Sequence, residues 1–365
     1  TDLIVGPRNG SIQLLLYVVF RLGDASNNLS WESYVTISSH PYVDWAIPLS
    51  LGDSHRGFRV LGTTNAYFQH FRHGRDVALQ AAEGILDLSG FNAVLGAAAA
   101  RELGYPLGHR VVIAHGTGEG SFARHDDLPF TVAGVLAPTG TPADRTVHIS
   151  LQSMKAIHLG WQRGTRAEPP PSLAEALAKA GPPHELSAFL LGLNQPAHAL
   201  QMQRAINAYP QEALTAILPG AALQELWSLV RVAERALLAI SALVVVTGIM
   251  GMMTTILSGL NERRREMAIL RSVGARPRHL FMLLVAESTL LGAAGAIAGL
   301  LLLHLAIFAS ASWTRATLGL ELSAGVVSFA ELMLVGAVSL AALLAGLIPA
   351  WQAYRRSLND GLTLH

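Results

Sequence analysis

Residues 261–280 read Asn261-Glu-Arg-Arg-Arg-Glu-Met-Ala-Ile-Leu-Arg-Ser-Val-Gly-Ala-Arg-Pro-Arg-His-Leu280, a basic segment set between two long apolar runs. The run before it, 236–260, carries no charge. The run after it, 280–309, contains only Glu287 and His304, and a third, 326–350, contains only Glu331. About 20 apolar helical residues cross the hydrocarbon core of a bilayer, so each run suffices. The sequence therefore predicts membrane spans at about 232–260, 279–309 and 326–350.

Arginine placement orients them. The segment between the first two spans carries Arg263, Arg264, Arg265, Arg271, Arg276 and Arg278, the next connection only Arg315, and the end of the chain Arg355 and Arg356. Short loops rich in Arg stay in the cytoplasm. The first connection and the tail, 357–365, are thus expected inside, and residues 1–225 outside. A folded domain outside needs an N-terminal device to export it, and the run 12–20 is too short to be a span. A further membrane helix before Thr1 is therefore expected, four in all.

Composition agrees with this division. The 365 residues are 51% hydrophobic and 14% charged, with the excess after Val230. A net charge of +1 with no basic face outside the loop gives no case for a nucleic-acid partner. Cysteine is absent, which excludes disulfides and thiolate metal sites.

Within the basic loop, Met267, Ile269, Leu270 and Val273 recur at roughly helical spacing against charges, with Gly274 as a stop and Pro277 just beyond. A short amphipathic helix over about 261–274 is expected at the membrane surface. Such an arginine cluster would also bind anionic lipid headgroups.

The segment resembles the FtsX/MacB-type (type VII) ABC transporter permease family, whose pattern is Arg-x-x-Glu-Ile/Met-x-Ile-Leu-Arg-x-Leu/Val-Gly-Ala. Arg263, Glu266, Met267, Ile269, Leu270, Arg271, Val273, Gly274 and Ala275 stand at those positions. The stretch Ile348-Pro-Ala-Trp-Gln-Ala-Tyr-Arg-Arg356 is similar to the family's Pro-Ala-x-x-Ala-x-Arg exit from the last helix. The usual Pro-Val-Glu-Ala-Leu ending is replaced by Leu358-Asn-Asp-Gly-Leu-Thr-Leu364.

The resemblance implies a coupling helix that docks on a cytoplasmic ATPase, with Arg263, Glu266, Met267, Ile269, Leu270, Arg271 and Gly274 as the coupling residues. No Gly-x-x-x-x-Gly-Lys-Ser/Thr loop occurs in the 365 residues. ATP and Mg are accordingly expected on a separate ABC ATPase dimer, with no cofactor and no catalytic residues in this chain. The family further implies a second permease copy, contact with membrane lipid, and an adaptor, lipoprotein or hydrolase in the periplasm. The implied setting is the bacterial inner membrane, and the implied work is export or extraction of a lipoprotein, peptide or small molecule. The alternatives are a membrane scaffold that regulates a periplasmic enzyme and a metal-related transport component.

The first 225 residues read as an α+β domain. Runs at 46–51, 57–62, 110–114, 130–136 and 146–151 have strand character, while 92–103, 153–159 and 197–229 read as helical. The order of 93–104, 106–113 and 130–136 also looks like the outer domain of these permeases, helix then strand then strand. Proline at 169–171 and 182–183 brackets a surface excursion. Eleven of the fourteen histidines fall in this domain; His70, His73, His125 and Asp126 are its weak metal candidates, against a plainer reading as surface and turn histidines.

Ionisable groups inside a membrane are costly and so mark functional candidates, here Glu287 and Glu331, with His304 beside them in the tally. Gly292, Gly295 and Gly299 suggest close helix packing, with the Gly-x-x-x-Gly spacing at the last pair.

Overall fold

The computed structural model describes residues 1–23, 27–74, 76–115, 128–159, 172–262, 266, 269–270, 272–318, 325 and 327–359. The chain forms two compact units, Thr1–Val230 and Arg231–His365.

In chain order the strands of the first unit begin β1 (Leu3–Pro7), β2 (Leu29–Ser30), β3 (Val43–His55), β4 (Phe58–Thr63), β5 (Arg72–His73), β6 (Val77–Ala78) and β7 (Ala81–Gly84). They continue β8 (Asn92–Leu95), β9 (Arg110–Val111), β10 (Ala114–His115), β11 (Phe130–Leu136), β12 (Thr146–Ser150), β13 (Glu185–Leu186), β14 (Ala188–Leu193) and β15 (Leu214–Ile217). The main sheet runs β15-β1-β14-β3-β4-β12-β8-β11-β7. It is mixed: β12 lies parallel to β4, and β11 parallel to β8.

Strand β3 joins the two halves of this sheet. Its first part pairs with β14, from Val43↔Leu193 to Leu49↔Ala188. Its second part pairs with β4 after a register shift between Leu51 and Ser54, where Gly52 adopts φ 149. At the outer edge, β1 is inserted between β14 and β15, with Ile4 opposite Ile217 and Pro7 opposite Leu214. Asp2 extends this lock by accepting a 2.7 Å hydrogen bond from the Leu193 amide.

Alternate residues of each strand point to opposite faces, and the core follows that period. Ile4, Ile47, Leu61, Val94 and Leu190 belong to one continuous cluster covered by the helices Ser11–Val18 and Ala66–His70. The first long helix, Pro219–Glu262, begins in this unit and packs Ala222, Leu223 and Leu226 against the same cluster. On the other face the intervening residues divide into two clusters. Val60, Ala93, Leu95, Val147 and Ile149 form one, and Leu3, Val5, Phe189 and Leu191 the other.

Several segments differ from the sequence reading. Residues 92–103 are not one helix: Asn92–Leu95 is a strand, and the helix is Ala97–Leu103. Gly96 makes the corner, extended at φ −65 and ψ 154, and any Cβ there would run into the Ala143 and Asp144 backbone. The stretch 197–229 likewise contains a helix, Ala199–Asn207, then strand β15, then the start of the long helix. Strand β14 reads Ala-Phe-Leu-Leu-Gly-Leu and is buried throughout, so no alternation marks it in the sequence.

His148 sits at the centre of the sheet, fully buried beside Tyr67 and Phe68. Its Nδ1 lies 3.2 Å from the Val94 carbonyl oxygen, so the ring proton is on Nδ1 and Nε2 is left as a buried acceptor. Burial, with the Arg21 guanidinium adding to it, pushes the His148 imidazole down to about 3. An ordinary imidazole titrates near 6.5. The unfolded chain therefore takes up a proton that the fold refuses, and stability is lost as pH falls from about 6.5 toward 3. At pH 5 this one group should cost about 2 kcal/mol. Hydrogen exchange of β12 in the full chain should show protection falling between pH 7.5 and 5, and His148→Leu should flatten that slope.

Candidate functional site

The basic loop holds the coupling candidates. The first long helix runs to Glu262, so the start of the expected 261–274 segment belongs to that helix. Beyond it, Glu266, Ile269, Leu270 and Ser272 are helical. The end is capped by Gly274 at φ 99, with the Ala275 amide donating to the Leu270 carbonyl at 3.0 Å. That amide reaching back five residues across a left-handed glycine is the Schellman arrangement, and it satisfies a carbonyl the helix would otherwise leave open. Ile269 is 56% exposed and Val273 83% exposed. Leu270 and Glu266 are also exposed. Arg263, Met267 and Arg271 lie outside the described residues.

The three long helices, over Pro219–Gly259, Pro277–Ala311 and Phe329–Arg355, are long and apolar enough to cross a membrane. The third continues to Asn359 through Pro349, so the Pro-Ala motif lies inside a helix and does not end it. Ile256, Leu284, Ala350 and Ala353 cluster where the three come together, with Met252 and Phe281 against them.

The second and third helices, Pro277–Leu318 and Phe329–Asn359, share a close antiparallel seam. A Cβ on Gly346 would run into the Ser288 hydroxyl, and one on Gly292 into the Cβ of Ala342. From Ser288 to Gly292 is four residues forward, and from Gly346 to Ala342 four back. One ridge of each helix thus meets the other in constant register. Gly295 and Gly299 meet nothing within 4 Å, so the Gly-x-x-x-Gly pair expected to make the contact does not make it within this chain. Gly292 does.

Further along the seam, His304 Nε2 stands 4.0 Å from Glu331 Oε2. Glu331 also closes a capping box, its carboxylate accepting from the Ser328 amide at 2.8 Å and its amide donating to Ser328 Oγ at 3.3 Å. Glu287 is half-buried in the second helix, about 15 Å from that helix's start at Pro277.

Two family models match this arrangement: the MacB-like periplasmic core domain over residues 5–208, and the FtsX-like permease C-terminal domain over residues 238–358. The chain belongs to the FtsX/MacB-type permease family. Among solved structures, the periplasmic region of MacB from Actinobacillus actinomycetemcomitans is similar at 13% identity and a TM-score of 0.38, covering 62% of this chain and 92% of that one. The extracellular domain of the noncanonic ABC-type transporter YknZ from Gram-positive bacteria is similar at 13% identity and a TM-score of 0.34, covering 59% of this chain and 98% of that one. No curated protein matches the chain in sequence. As a member of this family, it is a membrane protein with a periplasmic domain.

In this permease three histidines of the periplasmic domain stack on aromatic rings. His70 lies on Trp45 at 4.7 Å, His198 on Tyr42 at 3.9 Å and His109 on Tyr105 at 3.9 Å. His73 belongs to the small β5–β6 pair, opposite Val77. His125 and Asp126 lie outside the described residues. Among the described residues, no three His, Asp or Glu side chains come together as a metal site.

Sequence reasoning overlooked a cavity of about 520 Å³ beyond the carboxyl ends of the parallel strands β4 and β12, lined by Trp31, Asn65, Ser89, Ser150, Gln152 and Pro183. Its residues come from five separate segments and share no local motif. Much of its polar lining is already engaged: Asn65 Nδ2 donates to Asp87 at 2.8 Å, and Gln152 Nε2 to the Leu177 carbonyl at 3.1 Å. The Ser89 hydroxyl also donates to Asp87, at 2.7 Å, and with Asn65 it holds the Asp87 carboxyl below the usual range.

The seam gives a direct test of which glycines matter. Gly346→Leu or Gly292→Leu should destabilise the full chain in detergent by about 1–3 kcal/mol through overpacking. Gly295→Leu and Gly299→Leu should leave its thermal unfolding unchanged.

Proposed function

We propose that this chain is the permease subunit of an ABC transport system and transmits movement from a separate cytoplasmic ATPase to its periplasmic domain. The observation that carries the reading is the capped helix between the first two spans, with Ile269, Leu270 and Val273 exposed together on it. Burying one such side chain against protein is favourable by about 1.5–3 kcal/mol, so a partner surface that covers all three gains substantially. Glu266, with Arg263 and Arg271 of the same segment, adds polar contacts that fix the docking register.

In this reading ATP and Mg are bound by the partner ATPase dimer, and two permease copies stand over it in the bacterial inner membrane. Binding and hydrolysis displace the docked helices, and the spans carry that displacement to the periplasmic domain. The substrate, a lipoprotein, peptide or small molecule, is extracted or exported by the periplasmic domain with an adaptor, lipoprotein or hydrolase as its partner there. It has no need to pass between the helices.

The test is to place a charge in the stripe. Val273→Asp and Ile269→Asp in the full chain should each lower co-purification of the ATPase about tenfold or more and abolish ATP-dependent substrate movement. Replacing Arg264 and Arg265 by Gln should weaken binding to anionic vesicles while leaving the ATPase bound. If the stripe variants keep both the ATPase and substrate movement while the arginine variant loses vesicle binding, the loop is a lipid anchor.

A further inference from the structure

We infer that His304 and Glu331 form a proton-binding clasp that ties together the outer ends of the second and third membrane helices. The residues are 27 positions apart in sequence and meet only because the helices are antiparallel. They extend the Gly292/Ala342 seam by twelve residues along one helix and eleven back along the other.

The hydrogen-bond chemistry is incomplete by one proton. His304 Nδ1 lies 3.2 Å from the Leu300 carbonyl oxygen. A carbonyl only accepts, so Nδ1 carries the hydrogen, and in the neutral ring Nε2 then has only a lone pair. That lone pair faces the Glu331 carboxylate at 4.0 Å, beyond hydrogen-bond reach. Two acceptors therefore oppose each other. One proton from the outer aqueous phase, placed on either group, makes a donor and an acceptor, and the net charge of the pair goes from −1 to 0. Within the chain the two side chains keep 23% and 27% of their surface uncovered.

No other described ionisable group of these two helices crowds the pair. Glu287 is 17 residues below His304, about 25 Å along the helix. The next such groups on the third helix are Tyr354 and Arg355, and on the second Arg278 and His279, all toward the cytoplasmic end. The charged groups at the outer end of the first long helix are Glu225, Arg231, Glu234 and Arg235. The side chains of Arg315 and Glu321 lie outside the described residues.

The chain has no cysteine, so two spin labels can be placed cleanly, at Leu303→Cys and Leu332→Cys, which are 49% and 56% exposed. In the full chain in lipid nanodiscs, the distance between labels should shorten and narrow from pH 8 to pH 5.5. Glu331→Gln should abolish that response while keeping the helix cap, since Gln accepts at the same position. A double-mutant cycle of His304→Gln with Glu331→Gln, read on unfolding in bicelles, should show a coupling constant about fivefold or more larger at pH 5.5 than at pH 8. A pH response that survives Glu331→Gln, or equal coupling at the two pH values, overturns the clasp.

Discussion

Hydrocarbon offers a peptide group nothing to hydrogen-bond, and the layout of this permease follows from that one deficiency. Each apolar run must close its own backbone bonds as a helix, and the arginines that cannot follow it into the bilayer gather at one end. The same constraint limits how the helices meet. Lipid covers Leu243, Leu301 and Leu334 as well as protein would, so association rests on close backbone approach. Gly292 and Gly346 provide that approach at two successive steps of one seam.

The membrane half was largely legible in the sequence because its signals are long and redundant. A 25-residue apolar run tolerates errors of several residues at each end. The loop helix was legible from its stripe and its terminal glycine. What could not be read was the register between helices: Gly295 and Gly299 have the more familiar spacing, yet Gly292 and Gly346 face the neighbour. His304 and Glu331 could each be singled out as costly in a membrane, but nothing local announces that they meet.

The periplasmic domain was less transparent, for a different reason. Strand β11 alternates buried and more open positions, and its bounds can be read directly from 130–136. Strand β14 lies in the middle of the sheet and is covered on both faces, so every residue is apolar and the period disappears. Residues 92–95 look like the first turn of the alanine-rich helix that follows, and only the close approach of Gly96 to the Ala143 backbone separates them. Of the histidines, His70, His198 and His109 stack on Trp45, Tyr42 and Tyr105, partners that lie far from them in sequence or offer no local pattern to read.

The pairing of β1 with β15 has a mechanical consequence. β15 is an edge strand whose ladder partner is β1, and the chain leaves it at Ile217 directly into the helix that starts at Pro219. A tug along that strand toward the helix does not peel the pairs apart one by one. It loads the bonds from Ile4↔Ile217 to Pro7↔Leu214 together, in shear, and β1 passes the strain to β14 and so to β3. Tension applied at Ile217 is thereby shared across the sheet before any single bond has to yield.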